Sequence, residues 1–227
     1  MAESATRYLY LTRHGEAAPD GSGLTADGRR QAVLLGRRLA DRPIAAVHHG
    51  PLPRAAQSAR LIAEQLGGGR PGNEPLGGGP LGGGWQAGAV PTVCEEAGDY
   101  VPYVPERHEL PADSADYLLD FLAQSTAEER ARGPELARRA VQRFTGPVAG
   151  GEDRHELVVT HAFLIGWLVR HALSAPAWRW LGLNSCNAAL TVIRYTPGRP
   201  SYVLLHNDMR HLPDELCWTG FPSEARC

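Results

Sequence analysis

The sequence predicts an α/β protein, a three-layer αβα sandwich whose central sheet is mostly parallel and carries a C-terminal hairpin at one edge. Three observations predict it. Short runs rich in apolar, aromatic and β-branched residues, Tyr8-Leu9-Tyr10-Leu11-Thr12 and Glu156-Leu157-Val158-Val159-Thr160, alternate with segments of helical periodicity. Both runs stop abruptly at a histidine, His14 after Arg13 and His161 after Thr160. A chain of 227 residues can also bury a full core as one domain without disulfide or metal staples, so residues 1–227 are read as a single unit.

The elements follow in order. Arg7 to Thr12 reads as a strand buried on both faces, ending in the charged turn Arg13-His14-Gly15-Glu16. After a polar, glycine-rich loop, Thr25 is a natural N-cap with Asp27 in the first turn, and Ala32, Leu35, Gly36 and Leu39 recur on one helical face. Pro43 to His48 is the next parallel strand, and a helix follows over Ala55 to Leu66 with Arg54 in its first turn. Residues 67–84 are glycine and proline in the main, a composition that packs into no element and is read as a flexible insertion. A short strand is expected at Thr92 to Cys94, and helices at Ser114 to Ala123 and Ala127 to Phe144, the second capped by Thr126. The strand Glu156 to Thr160 leads into Ala162 to Val169, apolar all round and therefore a central buried helix. Asn187 to Tyr195 and Tyr202 to Leu205 read as a hairpin, and the last dozen residues as a loose tail.

Bulk properties narrow the function. A formal net charge of −2 gives no electrostatic case for a nucleic-acid or membrane partner. All basic residues are arginine, the side chain that grips phosphate with a planar fork. The four cysteines, Cys94, Cys186, Cys217 and Cys227, have no metal or redox spacing and are expected to be free thiols. The start MAESATR lacks a basic region followed by an apolar run, and no stretch reaches membrane-spanning length, so a cytoplasmic location is expected.

In an open α/β sheet, the crevice lies beyond the carboxyl ends of the strands, which is where His14, His161, Arg13 and Arg54 are all expected. Two imidazoles and two guanidiniums make a poor core and a good site for a dianion. A metal site is the competing reading of nine histidines, but no His-x-x-x-His or Glu-x-x-His helix pair is present, and the arginines would repel a cation. No metal and no cofactor are expected.

On four stretches the chain resembles the histidine phosphatase superfamily, the phosphoglycerate-mutase-like enzymes. Leu11-Thr12-Arg13-His14-Gly15-Glu16 is similar to the nucleophile motif, and Leu24-Thr25-Ala26-Asp27-Gly28 with Gln31-Ala32 to its sequel. Pro51-Leu52-Pro53-Arg54-Ala55 with Gln57-Ser58-Ala59 is similar to the second-arginine motif, and Val158-Val159-Thr160-His161 to the second-histidine motif. The resemblance implies a metal-independent phosphomonoester hydrolase in which His14 is transiently phosphorylated, Arg13, Arg54 and His161 hold the phosphoryl oxygens, and a carboxylic acid protonates the leaving group. The implied substrate is a phosphorylated small molecule or a phosphoprotein. Glu95 best fits the acid's position after the strand, with Glu96 adjacent and Glu106 in Pro105-Glu106-Arg107-His108 as rivals. Phosphoglycerate mutase-type transfer and a non-catalytic phospho-ligand-binding domain are the alternative functions; nothing in the sequence sets the oligomeric state.

The chain departs from the family pattern in places. His49-Gly50 stands where many members carry Ser-Ser, and Ala162-Phe163 where many carry Gly-Gly. Phe163 belongs to the helix core or narrows the cleft mouth toward an apolar group. Asp208 and His211 are read as a capped C-terminal loop that also has the reach to approach the site.

Overall fold

A computed structural model describes residues 3–66 and 89–221. The insertion expected at 67–84 lies outside the described residues, as does Cys227. The elements in chain order are β1 (Ser4–Ala5), β2 (Arg7–Arg13), α1 (Ala26–Leu39), β3 (Ile44–His49), α2 (Pro53–Leu66), β4 (Thr92–Val93), α3 (Ala115–Ala123), α4 (Ala127–Phe144), β5 (Val148–Ala149), β6 (Arg154–Thr160), α5 (Ala162–Ala172), β7 (Leu190–Tyr195) and β8 (Tyr202–Asp208). Strands β4-β3-β6-β2-β7-β8 form one sheet in that spatial order, while β1 and β5 pair as a small separate ribbon. The first four are parallel; β7 runs antiparallel to β2, and β8 closes the expected hairpin at the edge.

Period-two alternation splits the core into two layers of contact. Leu9 and Leu11 of β2, with Val158 and Ile193, pack against Ala137, Ala140 and Phe144 of α4 and Leu164, Ile165 and Leu168 of α5. Tyr10 of the same strand, with Leu157, Val159 and Val192, packs the other face against Ala32, Leu35 and Leu39 of α1 and Ala59 and Ile62 of α2. Covered on both sides, β2 and β6 have no polar alternation to show, which is why they read as continuous apolar runs. Local signals set the helix starts: Thr25 Oγ1 accepts from Gly28 N, and Thr126 and Glu129 form a capping box at α4.

Several boundaries differ from expectation for local reasons. Helix α2 begins at Pro53, whose missing N–H costs nothing at the first helical position. Strand β7 begins at Leu190 because Asn187 and Ala188 belong to a turn, with Ala188 in the left-handed region at φ 53°. The C-terminal residues expected as a loose tail fold back as far as Phe221: Leu216 is buried, Gln31 Nε2 donates to its carbonyl at 2.9 Å, and Asn187 N donates to Thr219 O at 3.0 Å. Among the described residues no helix is long and apolar enough to cross a membrane.

Candidate active site

Strand β6 lies between β2 and β3, so its carboxyl end delivers His161 beside His14. Arg13 is in register with Thr160, and His14 N donates to Thr160 O at 3.0 Å. Both imidazoles are buried, 5% exposed for His14 and 2% for His161, with ring centroids 5.0 Å apart. The four residues expected to converge do so: Arg13, His14, Arg54 and His161 line one cavity of about 500 Å³.

Hydrogen bonding fixes the state of His14. Its Nδ1 lies 2.6 Å from Gly15 O, an acceptor, so Nδ1 carries the proton. Arg54 Nε donates to His14 Nε2 at 3.1 Å, which makes Nε2 the unprotonated nitrogen. Burial, reinforced by His161 and the Arg13 and Arg54 guanidiniums, pushes this imidazole down to about 3, so it is a free base at neutral pH. Burial first, then Arg54 and Arg13, lower His161 to about 3 as well. Among the described residues both His161 ring nitrogens are buried without a hydrogen-bond partner, and Nδ1 approaches Asp99 Oδ2 at 3.3 Å. Because the cations hold His161 neutral, that approach is not an ion pair. A buried orphan nitrogen aimed into a basic cavity is a group waiting for a ligand oxygen.

The turn that carries His14 is built by residues the sequence motifs contain. A Cβ on Gly15 would overlap the Gly28 carbonyl, so α1 can approach the turn only because both positions are glycine. Gly15 N donates to Ser58 Oγ at 3.0 Å, and Ser58 Oγ donates to Arg54 O at 2.8 Å, tying the turn to the start of α2. Gln31 Oε1 accepts from Glu16 N at 2.9 Å. Arg13 meets no carboxylate among the described residues; its NH1 donates to Ser185 O at 3.0 Å and Gly220 O at 2.8 Å.

The carboxylate beside the two histidines is Asp99, which sequence reasoning missed; Glu129 also lines the cavity but is taken up by the capping box with Thr126. Asp99 Oδ2 accepts from Arg54 NH2 at 2.7 Å, and Asp99 lines the cavity with the two histidines. Glu95, the expected acid, points away: it pairs with Arg132 at 2.8 Å on the exposed surface of an adjoining cavity. Glu96 is buried beneath the 3-10 turn Glu95–Ala97, bonded to Arg139 and 3.7 Å from Arg143. Glu106 caps its own turn, accepting from the backbone of Glu109, and borders a different surface hollow. The turn Glu95–Ala97 is pinned by Thr160 Oγ1 donating to Ala97 O at 2.7 Å and Cys94 N donating to His49 O at 2.9 Å. Gly50 allows this, since a Cβ there would overlap the Ala97 carbonyl. The absent hydroxyl at position 50 is therefore the space through which the Asp99 loop reaches the site.

Phe163 takes both expected roles. It lines the cavity and packs edge-on to Phe121 of α3 at 5.9 Å and to Trp180 at 5.0 Å. Asp208 and His211 do not reach the cavity. Asp208 accepts from Arg38 and Arg210, which hold its carboxyl well below the usual carboxylate range, and His211 contacts Arg38 and the Ala188 carbonyl. Among the described residues no three His, Cys, Asp or Glu side chains gather as a metal would require.

The sequence profile of the histidine phosphatase superfamily (branch 1) matches residues 9–74 and 104–208, which leaves Asp99 in the unmatched stretch between. The serine/threonine-protein phosphatase Pgam5, mitochondrial, of Caenorhabditis briggsae is 28% identical over 221 residues, covering 95% of this chain and 68% of its own length. The Caenorhabditis elegans protein of the same name is 30% identical over 214 residues, covering 92% of this chain and 66% of its own. The chain thus spans about two thirds of these relatives. Among solved structures, a mycobacterial glucosyl-3-phosphoglycerate phosphatase shares the fold with a TM-score of 0.55 at 22% identity, over 90% of this chain and 100% of that one.

Proposed function

The chain belongs to the histidine phosphatase superfamily (branch 1), and from that premise we propose that Asp99 is the proton donor of its reaction and phosphoserine or phosphothreonine in a polypeptide its substrate. The enzyme is a phosphatase that hydrolyses phosphomonoesters through a phosphohistidine. The roles of the individual side chains follow from their placement. The His14 Nε2 lone pair attacks phosphorus, the bond to the leaving oxygen breaks, and that oxygen takes a proton from Asp99. As the ring acquires positive charge, Nδ1–H strengthens its bond to the Gly15 carbonyl at 2.6 Å. Arg13, Arg54 and the His161 ring hold the equatorial oxygens. Water then attacks phosphorus, giving its proton to the Asp99 carboxylate; the N–P bond breaks, inorganic phosphate leaves, and Nε2 recovers its lone pair.

The observation that carries this reading is the fixed tautomer of His14, with Nδ1 committed to a carbonyl and Nε2 a free base inside the cationic cavity. The polypeptide substrate is supported by the relatives named as protein phosphatases and by the Phe121 and Phe163 wall beside the basic floor. The test uses a phosphoserine peptide, 4-nitrophenyl phosphate and 3-phosphoglycerate. His14→Ala should lose all turnover together with the acid-labile phosphoryl label on the protein. Asp99→Asn should slow the peptide by about 10²–10⁴-fold and the nitrophenyl ester, whose leaving group needs little protonation, far less. Equal slowing of both esters removes the acid from Asp99. Interconversion of phosphoglycerates faster than peptide hydrolysis would make the chain a mutase.

A further inference from the structure

Arg13 is a half-buried cation that no carboxylate contacts among the described residues, and something must hold its plane. Its NH1 is used twice by the protein, on Ser185 O at 3.0 Å and Gly220 O at 2.8 Å, and among the described residues the remaining guanidinium nitrogens have no hydrogen bond and are left for a phosphoryl group. Gly220 sits in the C-terminal loop, in the left-handed region at φ 77°. A Cβ built there would lie 2.6 Å from Arg13 NH1 and 2.5 Å from Asn187 Oδ1. Asn187 in turn donates through Nδ2 to His14 O at 2.9 Å and through its backbone N to Thr219 O at 3.0 Å. The loop is anchored from the opposite side by Gln31, which is fully buried and donates to Leu216 O at 2.9 Å and Thr219 Oγ1 at 2.8 Å.

We infer that the C-terminal loop Leu216–Gly220 braces the phosphate pocket from behind Arg13, with Gly220 and Asn187 as positioning residues that aim the Arg13 guanidinium and fix the backbone of His14. The inference rests on the phosphate-holding role proposed for Arg13. The physical reason is directional. A guanidinium binds a tetrahedral dianion well only when its fork is presented in plane, and a long side chain with no fixed partner spends most of its time elsewhere. Two carbonyl oxygens fix the plane without neutralising the charge, which a carboxylate would do. Glycine at 220 is then required twice, for a backbone that L side chains rarely adopt and for the space that NH1 fills.

Binding of inorganic phosphate to the full chain, measured calorimetrically, tests this separately from turnover. Gly220→Ala should weaken phosphate binding about tenfold or more, comparable to loss of one charge-assisted hydrogen bond. Gly146→Ala is the control for backbone strain alone: Gly146 has φ 76° and nothing within 4 Å of a Cβ, and its affinity should match the wild type. In an Arg13→Lys background, where no NH1 exists to be displaced, the Gly220→Ala effect should shrink to less than about twofold. Thr219→Val, which removes one of the two bonds from Gln31 to the loop, should weaken binding about threefold and serves if Gly220→Ala fails to fold. Wild-type affinity in the variant that folds, or a Gly220→Ala effect undiminished in the Arg13→Lys background, overturns the inference. Unchanged affinity in Arg13→Lys alone would instead remove the proposed role of Arg13.

Discussion

Strands β2 and β6 lie side by side and carry charge at both ends, yet the two ends dispose of it in opposite ways. At the amino end Arg7 faces Glu156 at 3.4 Å and donates to the Arg143 carbonyl at 2.6 Å, and Arg154 approaches the same carboxylate at 3.6 Å. At the carboxyl end Arg13, among the described residues, hydrogen-bonds only to carbonyl oxygens, Arg54 shares one aspartate, and two neutral imidazoles fill the space between them. Where the chain needs stability it brings a counter-charge; where it needs to bind, it holds the cation with dipoles and leaves the charge uncancelled. The amino end is complete in itself. The carboxyl end is electrostatically unfinished until a dianion arrives.

The contrast can be broken by exchanging the readouts of its two ends. The largest effect belongs to Arg13→Ala, expected to lower kcat/KM for a phosphate ester by about 10²–10³-fold while leaving the melting temperature unchanged or raised, since burial disfavours this cation by more than the nearby charge of Asp99 compensates. Scanning calorimetry beside steady-state kinetics reads both quantities. Arg7→Ala should do the reverse. It leaves the buried Glu156 with Arg154 at 3.6 Å as its remaining cation, so a loss of about 1–3 kcal/mol of stability by denaturant titration is expected, with activity per folded molecule retained. Were Arg7→Ala to impair catalysis and Arg13→Ala to unfold the chain, the two ends would have been assigned the wrong way round.

A third effect is a matter of pH. His14 and His161 are held at about 3, below the 6.5 of a free histidine, so between those values the unfolded chain binds protons that the folded chain does not. Stability from these two groups is therefore fully present above 6.5 and is lost as pH falls toward 3. The slope is about 1.4 kcal/mol per pH unit for each group. NMR titration of labelled histidines should show both rings neutral at pH 5; midpoints near 6.5 would show that the pocket does not exclude water. Smallest of all is Glu95→Ala: the side chain is 55% exposed and paired only with Arg132, so turnover should change less than about twofold and stability by under ~1 kcal/mol.

Much of this is legible in the sequence because it is written locally. Strands buried on both faces are continuous apolar runs, Thr25 and Thr126 with Glu129 mark helix starts, and His14 and His161 follow directly on strand ends that the fold class places at one edge. The acid is not legible because Glu95 and Glu96 lie in one short turn with Asp99 two residues beyond it, and which of them faces the cavity depends on partners far along the chain. Arg132 and Arg139 draw the first two away, while Gly50 and Thr160 fix the turn that leaves Asp99 facing Arg54. A 3-10 turn of three residues is too short to repeat its period, so no direction can be read from it. Against Glu106 there is one local signal, since Glu-x-x-Glu with Glu109 is a capping pattern. The C-terminal loop reads as a tail for a related reason. Its residues bury little apolar surface of their own, and what holds them are polar bonds from Gln31, Asn187 and Arg13, all distant in sequence.

The direct bond from His14 N to Thr160 O and the grip of Gly220 O on Arg13 join the beginning of the chain to its middle and its end. Such distant pairings close late in folding, because each must first overcome the entropy of a long loop. A nascent chain still emerging from the ribosome thus carries every motif of the catalyst and none of its reactivity. Return of activity after dilution from denaturant would time the last closure of the topology rather than the first collapse.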